Sequence, residues 1–270
     1  MIEALKVLRQ NSRRNQLLDS LNYGAAESEL FLVSFPKSGN TWLRVMMANL
    51  LNPQIEEIAF HNLYELIPDS EVADQVGLIQ DRRSGFYAGS AQVVKSHDYY
   101  QRYYRNKKVI YVVRDPADAL TSYYHYLNVR TDQDMDKEVF LAGGNSRVKS
   151  WSRHVMGWRR AIDQGALLVK YEDMVADPEG SLARVADFIG LKVSREELET
   201  AVGRADFKRM KALEKKYGYF NNNQIKKKSN SEFVRKGKVG EASDVFSEAQ
   251  LERFARKNAK ALAWYGYSRC

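Results

Sequence analysis

The chain has 270 residues, a formal net charge of +8 and a hydrophobic content of 44%, a size that favours one domain over two. No stretch approaches the roughly 20 apolar residues of a membrane span, and the first 16 residues lack the apolar core of a secretory signal. The one cysteine, Cys270, excludes an internal disulfide and suits a reducing compartment, so we expect a single cytoplasmic domain, residues 1–270, with no membrane span.

Residues 1–28 are predicted to form an N-terminal helical extension, because leucines and arginines recur there at helical spacing. A surface helix packed on the domain is the favoured interpretation, and a membrane-surface anchor is the weaker one.

A predicted strand (30–35), a turn (36–39) and a helix with one apolar face (41–51) come next. A helix that begins directly after such a turn offers free backbone N–H groups and the positive end of its dipole to a phosphate. Lys37 lies at the start of the turn, and the chain has no Walker A string, G-x-x-x-x-G-K-[ST]. A strand–helix junction that binds nothing remains the alternative for this segment.

The rest of the chain alternates predicted strands (92–95, 109–113 and 166–171) with predicted helices (116–127, 147–164, 180–189, 196–202 and 247–263). This order predicts an α/β fold: one domain with a central parallel sheet flanked by helices and a P-loop-like turn after the first strand. Ligands of such sheets bind at the carboxyl ends of the strands, so the residues that follow the four strands should converge. The least patterned segments, 53–91, 128–145 and 215–232, are candidates for binding walls or lids.

The second strand ends on a lysine and a histidine two residues apart, Lys95 and His97. Alternation along a strand places both on one side. In a ligand cleft, His97 could abstract a proton near neutral pH, and Lys95 could stabilise developing negative charge. A structural or exposed histidine is the alternative.

The third strand leads into another turn and helix. Asp115 is placed to cap that helix, and Pro116 suits its first turn. Arg114 can offer a bidentate fork to phosphate, and Ser122, two helical turns on, can offer a hydroxyl. A capped helix with an Arg–Asp surface pair would explain Asp115 and Pro116 but not Arg114.

A basic block lies between Arg204 and Lys238, where twelve basic and three acidic residues give a local charge of +9. Such a block indicates an anionic partner or a solvated surface. Within it, Arg235, Lys236 and Gly237 form a stretch in which glycine lets backbone N–H groups approach an anion. Residues 215–240 are predicted to form a mobile basic loop over a nucleotide. No nucleic-acid partner is expected, because RRM, zinc-finger and helix-turn-helix signatures are missing.

Taken together, these segments resemble the sulfotransferases that use 3′-phosphoadenosine-5′-phosphosulfate. The segment from Phe35 to Trp42 is similar to that family's 5′-phosphosulfate loop, usually Y-P-K-S-G-T-T-W. Further similarities run in family order to about residue 255: Lys95-Ser96-His97 to K-T-H, Arg114-Asp115-Pro116 with Asp118 and Ser122 to the 3′-phosphate motif, Tyr171-Glu172-Asp173-Met174 to Y-E-D-M, Phe207, Met210 and Lys211 to S-F-x-x-M-K, and Arg235-Lys236-Gly237 with Gly240 to R-K-G-x-x-G.

The resemblance implies three catalytic residues. Lys37 would bond the oxygen between phosphate and sulfur, His97 would take the acceptor's proton, and Lys95 would steady the transferring sulfuryl group. The resemblance also implies the donor contacts, which are Lys37, Ser38, Gly39, Asn40 and Thr41 for the 5′-phosphosulfate, Arg114, Ser122, Arg235, Lys236 and Gly237 for the 3′-phosphate, and Trp42, Tyr171 and Phe207 for the adenine. Catalysis would be mostly positioning and electrostatics, with no metal.

Some features depart from the family pattern. Asn40 replaces the usual threonine but can still cap a helix, and the tryptophan that usually follows R-K-G-x-x-G is missing. The short dimer motif of animal members is absent from the C-terminal residues, which leaves the oligomeric state open.

The acceptor is open as well, and a small-molecule hydroxyl or amine is expected. Tyr99, Tyr100, Tyr103 and Tyr104 follow His97 and could wall its site by stacking or pack around the strand exit. A P-loop nucleotide kinase remains the alternative enzyme, and a basic nucleic-acid-binding protein the less favoured alternative.

Overall fold

The structure, a computed structural model, describes residues 30–67, 69, 93–131, 135–144, 150–218, 240 and 245–267. Its centre is a sheet of four parallel strands, β1 (Leu30–Ser34), β2 (Val93–Ser96), β3 (Lys108–Val113) and β4 (Leu167–Lys170), in the order β2-β1-β3-β4. The chain moves from β1 to one side and then returns to the other, so the strand order reverses at β1. A crevice at the carboxyl end of the sheet is expected there.

Helices flank the sheet. In chain order, those of the described residues are α1 (Asn40–Leu51), α2 (Phe60–Leu66), α3 (Pro116–Thr131), α4 (Lys137–Leu141), α5 (Trp151–Asp163), α6 (Tyr171–Ala176), α7 (Pro178–Ile189), α8 (Arg195–Arg204), α9 (Phe207–Tyr217) and α10 (Glu248–Tyr265). One turn of 3-10 helix spans Arg102–Tyr104.

Each face of the sheet packs against its own apolar layer, because alternate residues of a strand point to opposite faces. Leu30 and Leu32 of β1 belong to the layer that contains buried residues of α1, α2, α7 and α8. Phe31 and Val33 belong to the layer formed with α3, α5 and α10. Burial on both faces explains why the strands read as continuous apolar runs.

The predicted α/β class and parallel sheet are confirmed, and each predicted strand agrees with an observed one to within one residue at either end. Four helices, α2, α4, α6 and α9, were missed. Three of them have five to seven residues, too few turns for a helical period to stand out. Tyr171, predicted as the end of a strand, is the first residue of α6.

Some predictions fall outside the described residues: the helical extension over 1–28 and residues 219–239 of the basic loop. Residues 215–217 of that loop are helical, because α9 continues to Tyr217. None of the helices in the described ranges is long and apolar enough to cross a membrane.

Candidate active site

Several predicted site residues lie at or just after the carboxyl ends of the strands, and hydrogen bonds join neighbouring ends. The carbonyl of Ser34, which ends β1, accepts from Nδ1 of His97 after β2 at 2.8 Å. The backbone N–H of Asp115 after β3 donates to Oε1 of Glu172 after β4, also at 2.8 Å. The predicted convergence is therefore present in the structure.

The turn between β1 and α1 fits a bound anion. Lys37 and Gly39 have positive φ angles of 64° and 93°, and the helix begins directly after them at Asn40. The side chain of Ser38 is fully buried, and its Oγ has no hydrogen-bond partner among the described residues. Buried hydroxyls are normally hydrogen-bonded, so this one is suited to an oxygen of a ligand held at the start of the helix.

Asn40 was expected to be able to cap α1, but it does not. Gly39 is the N-cap residue, and Asn40 is the first residue of the helix. The Nδ2 of Asn40 donates to the carbonyl of Leu32 at 3.3 Å and lies 3.2 Å from the hydroxyl of Ser34. The amide therefore ties the start of the helix back to β1, because its side chain points toward the strand instead of the free N–H groups.

We expect Gly39→Ala to destabilise the fold and weaken nucleotide binding. A Cβ at this position would lie 2.4 Å from Cδ2 of Tyr171, on a backbone with φ of +93°. The left-handed conformation alone costs about 1–2 kcal/mol for a residue with a Cβ, and the clash adds to that cost.

Gly190→Ala is the matched control for this prediction. Gly190 has φ of +84°, and a Cβ there would meet nothing within 4 Å. Urea unfolding and binding of adenosine 3′,5′-bisphosphate should be measured for both variants. Equal losses of unfolding free energy, or unchanged nucleotide affinity in Gly39→Ala, would contradict the prediction.

The ring of His97 is held in one orientation. Because the Ser34 carbonyl can only accept, Nδ1 carries the proton, and a neutral ring then has its lone pair on Nε2. Burial, together with the positive charge of Lys95, lowers the pKa of His97 to about 3. The ring is therefore neutral at physiological pH, with an unprotonated nitrogen in a fixed place.

Lys95 forms a buried ion pair with Asp69, with 2.8 Å between Nζ and Oδ2. Burial alone would raise the pKa of Asp69, but the charges of Lys95 and Arg44 lower it to about 2, so the pair is ionised. An ammonium has three donors, and this carboxylate accepts from one. Asp69 was not among the predicted site residues, since it lies within 53–91, one of the least patterned segments of the sequence.

Arg114 is almost fully buried. Its Nη2 lies 3.3 Å from Oδ2 of Asp118, its guanidinium carbon 4.2 Å from the centroid of the Tyr171 ring, and its Nη1 3.5 Å from the carbonyl of Lys37. The same Asp118 oxygen accepts from the backbone N–H of Gly240 at 2.8 Å. The Arg–Asp pair is therefore buried, not the surface pair of the alternative interpretation, and the end of the R-K-G-x-x-G segment reaches this turn.

The predicted cap of α3 is present. Oδ1 of Asp115 accepts from the backbone N–H groups of Ala117 at 2.8 Å and Asp118 at 3.3 Å. Burial raises the pKa of Asp115 to about 6, although these N–H groups oppose the shift. Ser122 is partly buried on the same helix, one turn beyond Asp118.

The three aromatic residues predicted at the adenine lie in one neighbourhood. The rings of Trp42 and Tyr171 meet edge to face with centroids 6.0 Å apart. Nε1 of Trp42 donates to the carbonyl of Ala205 at 3.1 Å, two residues before Phe207 at the start of α9. Trp42 and Phe207 are partly exposed, which leaves surface for a planar ligand.

Other predicted residues have different outcomes. Arg235, Lys236 and Gly237 lie outside the described residues. Tyr104 is buried against Trp158, so it packs around the strand exit and does not wall a site.

Sequence reasoning also missed His154. This residue of α5 lies on the buried face of the helix with Trp151, Val155 and Trp158. Its Nε2 is 3.2 Å from the carbonyl oxygen of His97. A histidine at an apolar position of an amphipathic helix was the available signal.

We expect acid to destabilise the fold through His154. Burial lowers the pKa of His154 to about 3, so the folded chain keeps the ring neutral, whereas the unfolded chain takes up a proton below about pH 6.5. The unfolding free energy is therefore full at pH 7 and falls by about 1.4 kcal/mol per pH unit below 6.5, roughly 2 kcal/mol at pH 5. Urea unfolding at pH 7 and pH 5 should show that His154→Gln lacks this part of the pH dependence. An equal fall of the unfolding free energy in the wild type and in His154→Gln would contradict the prediction.

Comparison with known proteins identifies the family of this chain. Residues 27–266 match the family model described as the sulfotransferase domain. Among curated proteins, the chain is 24% identical to flavonol 3-sulfotransferase of Flaveria bidentis over 90% of this chain and 85% of that protein. It is 27% identical to amine sulfotransferase of Oryctolagus cuniculus, over 89% and 83%.

Solved structures share the fold. Mouse sulfotransferase SULT7A1 complexed with PAP superposes with a TM-score of 0.64 at 23% identity, covering 93% of each chain. Retinol dehydratase in complex with androsterone and PAP has the same TM-score at 22% identity, covering 87% of this chain and 81% of that one.

Proposed function

The chain belongs to the sulfotransferase domain family and is an enzyme of the sulfotransferase class, and from this premise we propose that it transfers the sulfuryl group of 3′-phosphoadenosine-5′-phosphosulfate to a hydroxyl or amine of a small molecule. Family membership supports the class of reaction. The donor, the residues that act on it and the acceptor are the content of the proposal.

The donor site of the proposal is the turn together with the two neighbouring strand ends. The buried hydroxyl of Ser38 and the start of α1 bind the 5′-phosphate. Arg114 and Ser122, with the segment that ends at Gly240, bind the 3′-phosphate. The adenine lies against Trp42, since that ring is partly exposed beside Tyr171. Two structural relatives are complexed with PAP, which agrees with this choice of donor.

The orientation of His97 is the observation on which the proposal rests. Its Nδ1 is committed to the Ser34 carbonyl, so Nε2 takes the proton of the acceptor as the acceptor oxygen or nitrogen attacks sulfur. The new bond to sulfur forms as the bond from sulfur to the phosphate oxygen breaks. Lys37 stabilises the charge that collects on that phosphate oxygen.

The charge of Lys95 acts on the base, His97, and would also act on a bound donor. In the structure burial lowers the pKa of His97, and the charge of Lys95 lowers it further, which would make the ring a weak base. A donor that carries several negative charges beside Lys95 opposes this effect, since an anion near an imidazole favours the protonated form. We therefore propose that binding of the donor makes the base stronger.

The acceptor is proposed only as a class. The relatives include proteins named for a flavonol and for an amine at nearly equal identity, so both oxygen and nitrogen acceptors belong in the test. A cytoplasmic location stays a prediction from the single cysteine.

The test is transfer of labelled sulfate from the donor to a panel of phenols, alcohols, steroids and amines. We expect transfer without added metal to at least one acceptor class, with adenosine 3′,5′-bisphosphate as the second product. ATP with Mg²⁺ is the matched control donor, because the sequence left a nucleotide kinase open. Phosphoryl transfer from ATP with no sulfuryl transfer to any acceptor would overturn the proposal.

A further inference from the structure

Helix α5 contacts the main chain of the proposed base at two consecutive carbonyls. Nε2 of His154 lies 3.2 Å from the carbonyl oxygen of His97, and Nε1 of Trp158 donates to the carbonyl of Asp98 at 3.0 Å. His154 and Trp158 are four residues apart, so they lie one above the other on the same face of the helix. Both side chains are fully buried.

This contact occurs where the sheet no longer holds the chain. The register between β1 and β2 ends at the pair Val33 and Ser96, so the direction of the chain at His97 is not set by the ladder. The orientation of an imidazole depends on the backbone that carries it. The two donors from α5 supply that constraint by holding the carbonyls of His97 and Asp98.

The hydrogen bonds of His154 fix which of its nitrogens carries the proton. The carbonyl of His97 can only accept, so Nε2 is the donor, and the neutral ring then accepts at Nδ1. The hydroxyl of Tyr111 lies 2.9 Å from that Nδ1 and is its donor. Tyr111 comes from the middle of β3, is fully buried, and stacks on His154 with centroids 5.9 Å apart.

We propose that His154, held by Tyr111, is a positioning residue that sets the orientation of the His97 ring for proton transfer, with Trp158 as its second support. The inference rests on the proposed function of His97 as the base. The chain of contacts runs from Tyr111 in the middle of β3 through His154 of α5 to the backbone carbonyl of His97. None of these three side chains follows a strand end, and their role would be to fix the base without contacting the donor.

The kinetic test compares four variants. Tyr111→Phe removes one hydroxyl, and His154→Leu removes both hydrogen bonds of the ring. Both should lower kcat by about ten-fold to a hundred-fold, since a small misplacement of a reacting group has effects of this order. The affinity for adenosine 3′,5′-bisphosphate should stay within about two-fold. His154→Gln keeps an amide donor for the His97 carbonyl and should restore part of the loss.

Tyr265→Phe is the matched control variant. The hydroxyl of Tyr265 donates at 2.7 Å to the carbonyl of Val155, so this variant also removes a buried tyrosine hydrogen bond to α5. It leaves the contact with His97 intact, and kcat should stay near the wild-type value. Equal losses of kcat in Tyr111→Phe and Tyr265→Phe would overturn the proposal, because general loosening of the helix would then explain both.

A spectroscopic readout separates this inference from the proposed function. Nitrogen-15 NMR of the histidine side chains, assigned by His→Gln variants of the four histidines, reports the tautomer of each ring without turnover. We expect Nδ1–H for His97 and Nε2–H for His154. Tyr111→Phe should shift the Nδ1 signal of His154, because it removes the donor to that nitrogen, and should shift the ring signals of His97, because the contact of His154 with the His97 carbonyl loosens. Unchanged spectra in that variant would overturn the positioning role. Absence of sulfuryl transfer by the wild type would instead overturn the proposed function.

Discussion

Replacement of His97 by asparagine is expected to lower kcat by about 10²- to 10⁴-fold, the usual contribution of a general base. The nitrogen of the asparagine amide can occupy the place of Nδ1 and keep the hydrogen bond to the Ser34 carbonyl, which is 2.8 Å long in the structure. The substitution therefore removes the lone pair of Nε2 while it keeps the contact that joins β1 and β2. Steady-state rates with a saturating acceptor would measure the loss.

Two further measurements make the His97→Asn result specific. Affinity for adenosine 3′,5′-bisphosphate should change by less than about three-fold, because the base contacts the acceptor side of the reaction. The midpoint of urea unfolding should stay close to that of the wild type. A kcat within three-fold of the wild-type value would exclude His97 as the base, whereas parallel losses of kcat and nucleotide affinity would indicate a collapsed site.

The turn after β1 and the capped start of α3 could be predicted from the sequence because each is a local signal. The turn after β1 and the cap at Asp115 are read from a few adjacent residues, and the parallel order of the strands brings them together. Strand bounds agreed to within one residue, since a strand buried on both faces is a continuous apolar run bounded by polar residues.

The contacts of Lys95 and His97 could not be predicted, because they join residues that are distant in sequence. Asp69 pairs with Lys95 across 26 positions, and His154 reaches His97 across 57. No spacing rule links such pairs in one sequence. His154 carried a weak signal, an imidazole on an apolar helix face, and the same pattern would suit a histidine with no role beyond packing.

Helix α9 was missed for a different reason. Its apolar residues Phe207, Met210 and Leu213 recur at helical spacing, and Asp206 caps it by accepting from the N–H groups of Lys208 and Arg209. The lysines and arginines between them led the segment to be interpreted as part of a basic block and of a family motif, and not as a helix. Charged residues on the solvent face are compatible with an amphipathic helix, so the periodicity was the better guide.

Replacement of Lys37 by methionine is expected to lower kcat by about 10²- to 10³-fold, the range for loss of one group that stabilises charge in a transition state. The Nζ of Lys37 lies 5.0 Å from the centroid of the Tyr126 ring, and methionine keeps an unbranched side chain that can pack on the same ring. The variant therefore removes the charge with little change of shape. Lys37→Arg is the matched control, since it keeps a cation on the same left-handed backbone position.

The decisive comparison for Lys37 is between turnover and nucleotide affinity. Negative charge on the bridging oxygen develops as the bond to sulfur breaks, so the lysine should stabilise the transition state more than the bound ground state. In Lys37→Met we expect kcat to fall by at least ten times more than the affinity for adenosine 3′,5′-bisphosphate. Equal losses would mean that Lys37 only binds phosphate, as a Walker lysine does, and would remove it from the leaving-group role. Because Lys37 lies in the first half of the turn, preceded by Pro36 and not by the glycine of a Walker A string, we expect the unequal result.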